Sequence, residues 1–113
     1  MNHNMNLSPV PFEMIKSGQK TIELRLNDEK RQRIKTGDTI IFSNTESGER
    51  LGVKVKQIHK FESFAQLYKS LPLLSCGYTQ ADIETAKPED MDVYYSPERQ
   101  KEYGVLGIEI ERE

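Results

Sequence analysis

Polar and apolar residues alternate in five separate stretches of this chain, a two-residue period that belongs to strands with one face against a core. The stretches are 3–8 ("HNMNLS"), 20–26 ("KTIELRL"), 35–44 ("KTGDTIIFSN", with a tight turn at Gly37-Asp38), 51–61 ("LGVKVKQIHKF") and 105–111 ("VLGIEIE"). The stretches at 35–44 and 51–61, separated by "TESGER", read as a hairpin. Helix signals fall between the strands. Ser8 precedes two early prolines, Phe12 and Ile15 share a side, and Gly18 stands where a helix closes. Residues 63–71 place Phe64, Leu67, Tyr68 and Leu71 on one face, and 96–104 run from Ser96-Pro97 to Gly104. Residues 78–86 predict a further helix capped by Thr79, and "NDEKRQRI" a short helical turn capped by Asn27 or Asp28. Strands that cluster early and close the chain, with helices between, define an α+β class. The expected architecture is a small, mostly antiparallel β-barrel with flanking helices, completed by the returning last strand.

A length of 113 residues suits one domain spanning 1–113. Cys76 is the only cysteine, which excludes an internal disulfide and points to a reducing compartment. The first ten residues lack the basic start and apolar run of a signal peptide, and no apolar run is long enough for a membrane span. A cytoplasmic location is therefore expected. The net charge of −2 is unevenly placed: residues 1–60 carry +4 and residues 61–113 carry −6. This asymmetry fits either an anionic partner for the first half or a dipolar surface without one.

His3 and His59 stand far apart, outside any metal-ligand spacing, and the chain has no phosphate-binding glycine loop and no nucleophile elbow. Neither a metal nor a cofactor is expected. Polar density is highest at 20–26, where Thr21, Glu23 and Arg25 alternate with Ile22, Leu24 and Leu26. Glu23 and Arg25 can pair and present acceptors and donors to a base edge; Lys20, at the strand mouth, can serve as base or anion holder. Strict alternation puts Lys20 on the apolar face, although a residue at the strand mouth can turn either way. The same pattern also describes a solvated strand face, and the sequence leaves the two open. Lys30, Arg31, Arg33 and Lys35, with Lys54 and Lys56 on one strand face, form a basic group suited to phosphate contact. Tyr94, Tyr95 and Tyr103 supply rings that stack on bases or finish a core; Tyr95 is the ligand-binding candidate and Tyr103 the core one.

Taken in order, "PFEMIKSGQKTIELRL", "GDTIIF" and "YGVLGIEI" resemble the ASCH domain, a branch of the PUA-like superfamily, in its small single-domain form. The resemblance covers nearly the whole chain. It implies a small barrel with a cleft beside strand 20–26 and an RNA, nucleotide or modified-nucleoside ligand. Lys20 falls on the lysine opening the family motif, Glu23 and Arg25 on its polar strand positions, and Gly37-Asp38 on the following turn. Some relatives are amidohydrolases acting on N4-acetylcytidine, and one branch is reported as a ribonuclease. In the amidohydrolase-like relatives a threonine is expected three residues after the lysine. Here Glu23 holds that place and Thr21 directly follows Lys20. The implied function is a binding module using Lys20, Thr21, Glu23, Arg25 and Tyr95. The alternative is a metal-independent hydrolase with Lys20 and Glu23 as its acid/base pair.

Overall fold

The computed structural model describes residues 1–113. Five strands, β1 (Asn2–Leu7), β2 (Ile22–Leu26), β3 (Thr39–Asn44), β4 (Arg50–Phe61) and β5 (Val105–Arg112), form one curled sheet in the order β1-β3-β4-β5-β2. All neighbours are antiparallel except β1 and β3. The predicted hairpin is β3–β4, with Ile40 opposite Val53, and β5 returns to lie between β4 and β2. A register shift between Val55 and Gln57 bends the long β4 strand, so the sheet curls into a half-barrel of the PUA-like kind.

Three helices pack against this sheet: α1 (Pro9–Lys16), α2 (Phe64–Ser70) and α3 (Pro97–Tyr103). Ser63 and Ser96 each accept a backbone N–H through their hydroxyls, from Gln66 and Arg99. Ser8 occupies the cap of α1 without such a bond. Asp28 accepts the Arg31 N–H at 3.1 Å and so starts a 3-10 turn over Arg31–Arg33.

The helix predicted over 78–86 does not form; only a 3-10 turn at Ile83–Thr85 appears, followed by another at Pro88–Val93. Asp82 accepts both the N–H and the hydroxyl of Thr79, and the Thr79 hydroxyl accepts the Ala81 N–H. These local bonds offer the backbone an alternative to helical pairing, and Pro88 ends the segment.

The apolar faces build two clusters. One joins β1, β3, β4 and β5 to α1 through Phe12, Ile15, Ile40, Phe42, Val53 and Ile108. The other joins β2 to α2 and the 3-10 segments through Ile22, Leu26, Phe64, Leu67 and Met91. At the start of β1, buried His3 meets Asp38 at 2.8 Å, and Asp38 also accepts the Lys35 N–H. The His3 bond, reinforced by the Lys35 amide, holds the Asp38 carboxyl below its ordinary value. The Gly37-Asp38 turn therefore ties β1 to β3.

Because β1 and β2 are the two sheet edges, the half-barrel has an open seam between them. Two side chains bridge it: Arg25 Nη2 donates to the Asn6 carbonyl at 2.9 Å, and Lys30 Nζ to the Asn4 carbonyl at 2.9 Å. These bonds use backbone acceptors that an edge strand leaves unpaired.

Gly104 tests the junction of α3 and β5. Its φ is +73°, and a Cβ there would lie 2.9 Å from the Phe61 carbonyl oxygen. Gly104→Ala is expected to cost about 2 kcal/mol, seen as a thermal midpoint roughly 8 °C lower. An unchanged midpoint would mean that the junction relaxes freely.

Candidate functional site

Both faces of β2 are buried, which rules out a solvated face for Glu23 and Arg25. Ile22, Leu24 and Leu26 enter the second apolar cluster, while Glu23, on the opposite face, is only 2% exposed. Its two carboxylate oxygens each take one cation: Oε1 lies 2.8 Å from Lys20 Nζ and Oε2 accepts Arg25 Nε at 2.8 Å. The side chains of Lys20 and Arg25 are themselves about nine-tenths buried, at 10% and 13% exposure. Burial by itself pushes the Glu23 carboxyl up. The charges and hydrogen bonds of Lys20 and Arg25 outweigh it and leave the carboxyl below its ordinary value. Burial likewise works against the Arg25 charge, and Glu23 together with Tyr95 more than offsets it.

Lys20 reaches Glu23 because regular pairing in β2 begins only at Ile22. Ahead of it, the Lys20 N–H bonds the Met14 carbonyl and the Thr21 N–H bonds the Ser75 carbonyl, and only the Thr21 carbonyl still pairs with β5, accepting the Ile110 N–H. Thr21 does not join the triad. It is exposed and borders a separate concavity with Lys56, Glu109 and Arg112, away from Glu23 and Arg25. Lys20 borders both openings.

The triad forms the floor of a cavity of about 590 Å³ at the β1–β2 seam, within the range of roughly 300–1,000 Å³ usual for small-molecule sites. Leu7, Val10, Pro11 and Met14 supply an apolar wall from β1 and α1. The facing wall comes from the 3-10 segments. Gly77, at φ +112°, turns the chain over Lys20, where a Cβ would stand 3.4 Å from Lys20 Cδ. Tyr95 is half-buried with its ring stacked on Phe64 at 6.3 Å, and Tyr94 is 71% exposed at the rim. Burial raises the Tyr95 hydroxyl, opposed by the nearby Arg25 charge. Tyr103 lies elsewhere, packed against the second cluster with its hydroxyl donating to Glu29 at 3.1 Å.

Tyr68, Tyr78 and Asp90 also line the cavity. The Tyr78 hydroxyl donates to Asp90 Oδ2 at 2.7 Å, and the Tyr68 and Tyr78 oxygens are 2.8 Å apart. Tyr78 spends its one proton on Asp90, so Tyr68 donates to Tyr78. Burial, with those two partners, drives the Tyr78 hydroxyl far up, and its bond holds Asp90 below the ordinary value. Tyr68 is legible in the sequence only as part of the apolar face of α2. Tyr78 opens a stretch whose helical spacing gives no hint of its partners, and Asp90 carries no sequence signal. Cys76 borders Lys20, and burial pushes its thiol up to about 11, so it is neutral at physiological pH and no nucleophile in this state.

The basic group is divided. Arg31 pairs with Asp28 at 3.1 Å and Lys30 is engaged at the seam, whereas Arg33, Lys35, Lys54 and Lys56 are exposed. His59 stands 3.5 Å from Glu109 and apart from His3, and no three His, Cys, Asp or Glu side chains group as metal ligands. No helix is long and apolar enough to cross a membrane.

A PUA-like half-barrel with a charged cavity at its seam is the class that fold and site define. The chain matches the ASCH domain family over residues 5–113, and it belongs to that family. It is similar along its whole length to the crystal structure of hypothetical protein PH0355, with 39% identity, TM-score 0.83 and 100% of each chain covered. It is also similar to the solution structure of protein PF0455 from Pyrococcus furiosus, with 37% identity and TM-score 0.76 over 99% of this chain and 97% of that one. No curated protein matches it.

Glu23→Gln leaves two buried cations without their shared counter-charge, and is expected to cost about 3–5 kcal/mol in chemical denaturation. The Glu23 carboxyl is lowered on folding, so its contribution is fully present above the unfolded value near 4.5 and is lost as pH falls through the lower folded value. The stability gap between wild type and Glu23→Gln should therefore narrow as pH drops below about 4.5. A gap constant from neutral pH through this range would refute the ion-paired state of Glu23.

Proposed function

We propose that the seam cavity binds a nucleotide unit of single-stranded RNA, or a modified nucleoside. The observation that carries the reading is the buried Lys20–Glu23–Arg25 triad at the base of an apolar, tyrosine-bearing cavity. Glu23 holds the two cations in place, and their remaining N–H groups meet the acceptor edge of a base. Leu7, Met14 and Tyr95 enclose the ring, and exposed Tyr94 offers a stacking face at the rim. Exposed Arg33, Lys54 and Lys56 draw the phosphate backbone toward the domain, with Lys30 and Arg31 contributing what charge their partners leave. Membership of the ASCH family supports a nucleic-acid ligand.

The hydrolytic alternative has its two groups in contact, since Lys20 and Glu23 meet at 2.8 Å. A carboxylate held below its ordinary value with both oxygens paired is, however, a weak base. Binding without turnover is the expected behaviour.

Fluorescence anisotropy with single-stranded and duplex RNA of the same sequence tests this reading. The single strand should bind more tightly, with log K falling against log salt at a slope of about −2 if three phosphates are contacted. Arg25→Gln should weaken binding by roughly tenfold. N4-acetylcytidine incubated with the protein and a chelator should be recovered intact. Equal affinity for duplex, or turnover that Lys20→Ala abolishes, would overturn the proposal.

A further inference from the structure

The charges at the cavity floor do not balance. Lys20 and Arg25 are each about nine-tenths buried, and one carboxylate, Glu23, serves both. Two further acids, Asp82 and Asp90, line the cavity from the 3-10 segments and keep their charge, but neither reaches the floor. Asp82 accepts the N–H and hydroxyl of Thr79, and Asp90 accepts the Tyr78 hydroxyl and the Lys87 N–H. Neither forms an ion pair with Lys20 or Arg25. The nearby Arg31–Asp28 pair neutralises itself. Among the groups in direct contact, the floor is thus one positive charge in excess, in a place where burying a charge without a contacting partner is costly.

Its hydrogen bonding is equally one-sided. Both Glu23 oxygens already accept a cation, whereas a lysine has three N–H donors and an arginine five. Arg25 spends Nε on Glu23 and one Nη2 hydrogen on Asn6, and Lys20 has one of its three donors on Glu23. The floor therefore offers donors and lacks a negative charge.

We infer that the floor between Lys20 and Arg25 is an anion subsite, taking a phosphate or carboxylate group that completes the charge balance. The inference deepens the nucleotide reading: the preferred occupant carries its own anionic oxygens into the cavity, as a nucleoside monophosphate does and a nucleoside does not. The excess charge is a cost that the empty protein bears and the ligand relieves.

Lys20→Met removes the excess and leaves Glu23 and Arg25 as a neutral pair. Thermal unfolding of wild type and Lys20→Met, in chloride and in inorganic phosphate or acetate at matched ionic strength, tests the subsite. Phosphate at about ten times its Kd should raise the wild-type midpoint by roughly 3–6 °C, and the midpoint of Lys20→Met should not respond. In chloride alone, Lys20→Met should unfold no lower than wild type. Calorimetric titration of wild type with uridine and uridine monophosphate completes the test. The monophosphate should bind roughly tenfold tighter, an advantage that Lys20→Met abolishes and a change at exposed Lys101 on α3, Lys101→Met, does not. A response to acetate alone assigns the subsite to a carboxylate and removes the monophosphate advantage, while a response to phosphate assigns it to a phosphate.

Uridine that binds as well as its monophosphate, with no response to phosphate or acetate, would overturn the subsite and leave the nucleotide reading standing. Stabilisation by phosphate or acetate with no binding of uridine or of RNA would uphold the subsite and overturn that reading. If Lys20→Met does not fold, the wild-type anion response decides alone, and indifference to both anions overturns the inference.

Discussion

The structure turns on one carboxylate. Glu23 sits in the middle of an edge strand, nearly without solvent, and is stable there as an anion because Lys20 and Arg25 close on its two oxygens. Each cation then does a second job. Lys20 belongs to the link between α1 and β2, so its bond fixes where that link ends. Arg25 continues past Glu23 to the Asn6 carbonyl, so the same group ties β2 to β1 across the seam. The electrostatics of the site and the closure of the fold are carried by the same three side chains.

An open half-barrel has two edge strands, and each presents unpaired backbone groups. Here the edges face one another, too far apart for a ladder and close enough for side chains. Arg25 and Lys30 span part of the gap, and the rest is the cavity. The 3-10 segments from Leu73 to Val93 roof it from the α2 side, held by the Tyr68–Tyr78–Asp90 bonds. The cavity arises from a sheet that curls without closing, and its charged floor is one face of the strand at that edge.

Much of this was legible before any coordinates. The strands and the three α-helices follow from periodicity and caps, because a two-residue alternation or a serine followed by proline acts within a few residues of itself. Residues 78–86 misled because helical spacing is present but a closer competitor, Asp82 on Thr79, takes the backbone first. Thr21 stands apart from the triad because its amide turns to Ser75 ahead of the regular pairing of β2, a long-range bond that alternation does not reveal. Tyr78 and Asp90 were illegible: nothing local marks a tyrosine whose partners come from α2 and from a turn twelve residues on.

By itself, the sequence determined the element types, the charged character of 20–26 and the family resemblance, since all three depend on residues near one another in the chain. Whether Glu23 and Arg25 face water or a cavity was decided only by tertiary structure. Alternation assigns a residue to a face of a strand and says nothing about what covers that face. The sheet order, with β2 at an edge opposite β1 and α1 folded beside it, buries the polar face as well as the apolar one. Once that face lost its water, a carboxylate flanked by a lysine and an arginine had to become an ion-paired floor, because burial leaves its charge no other partner.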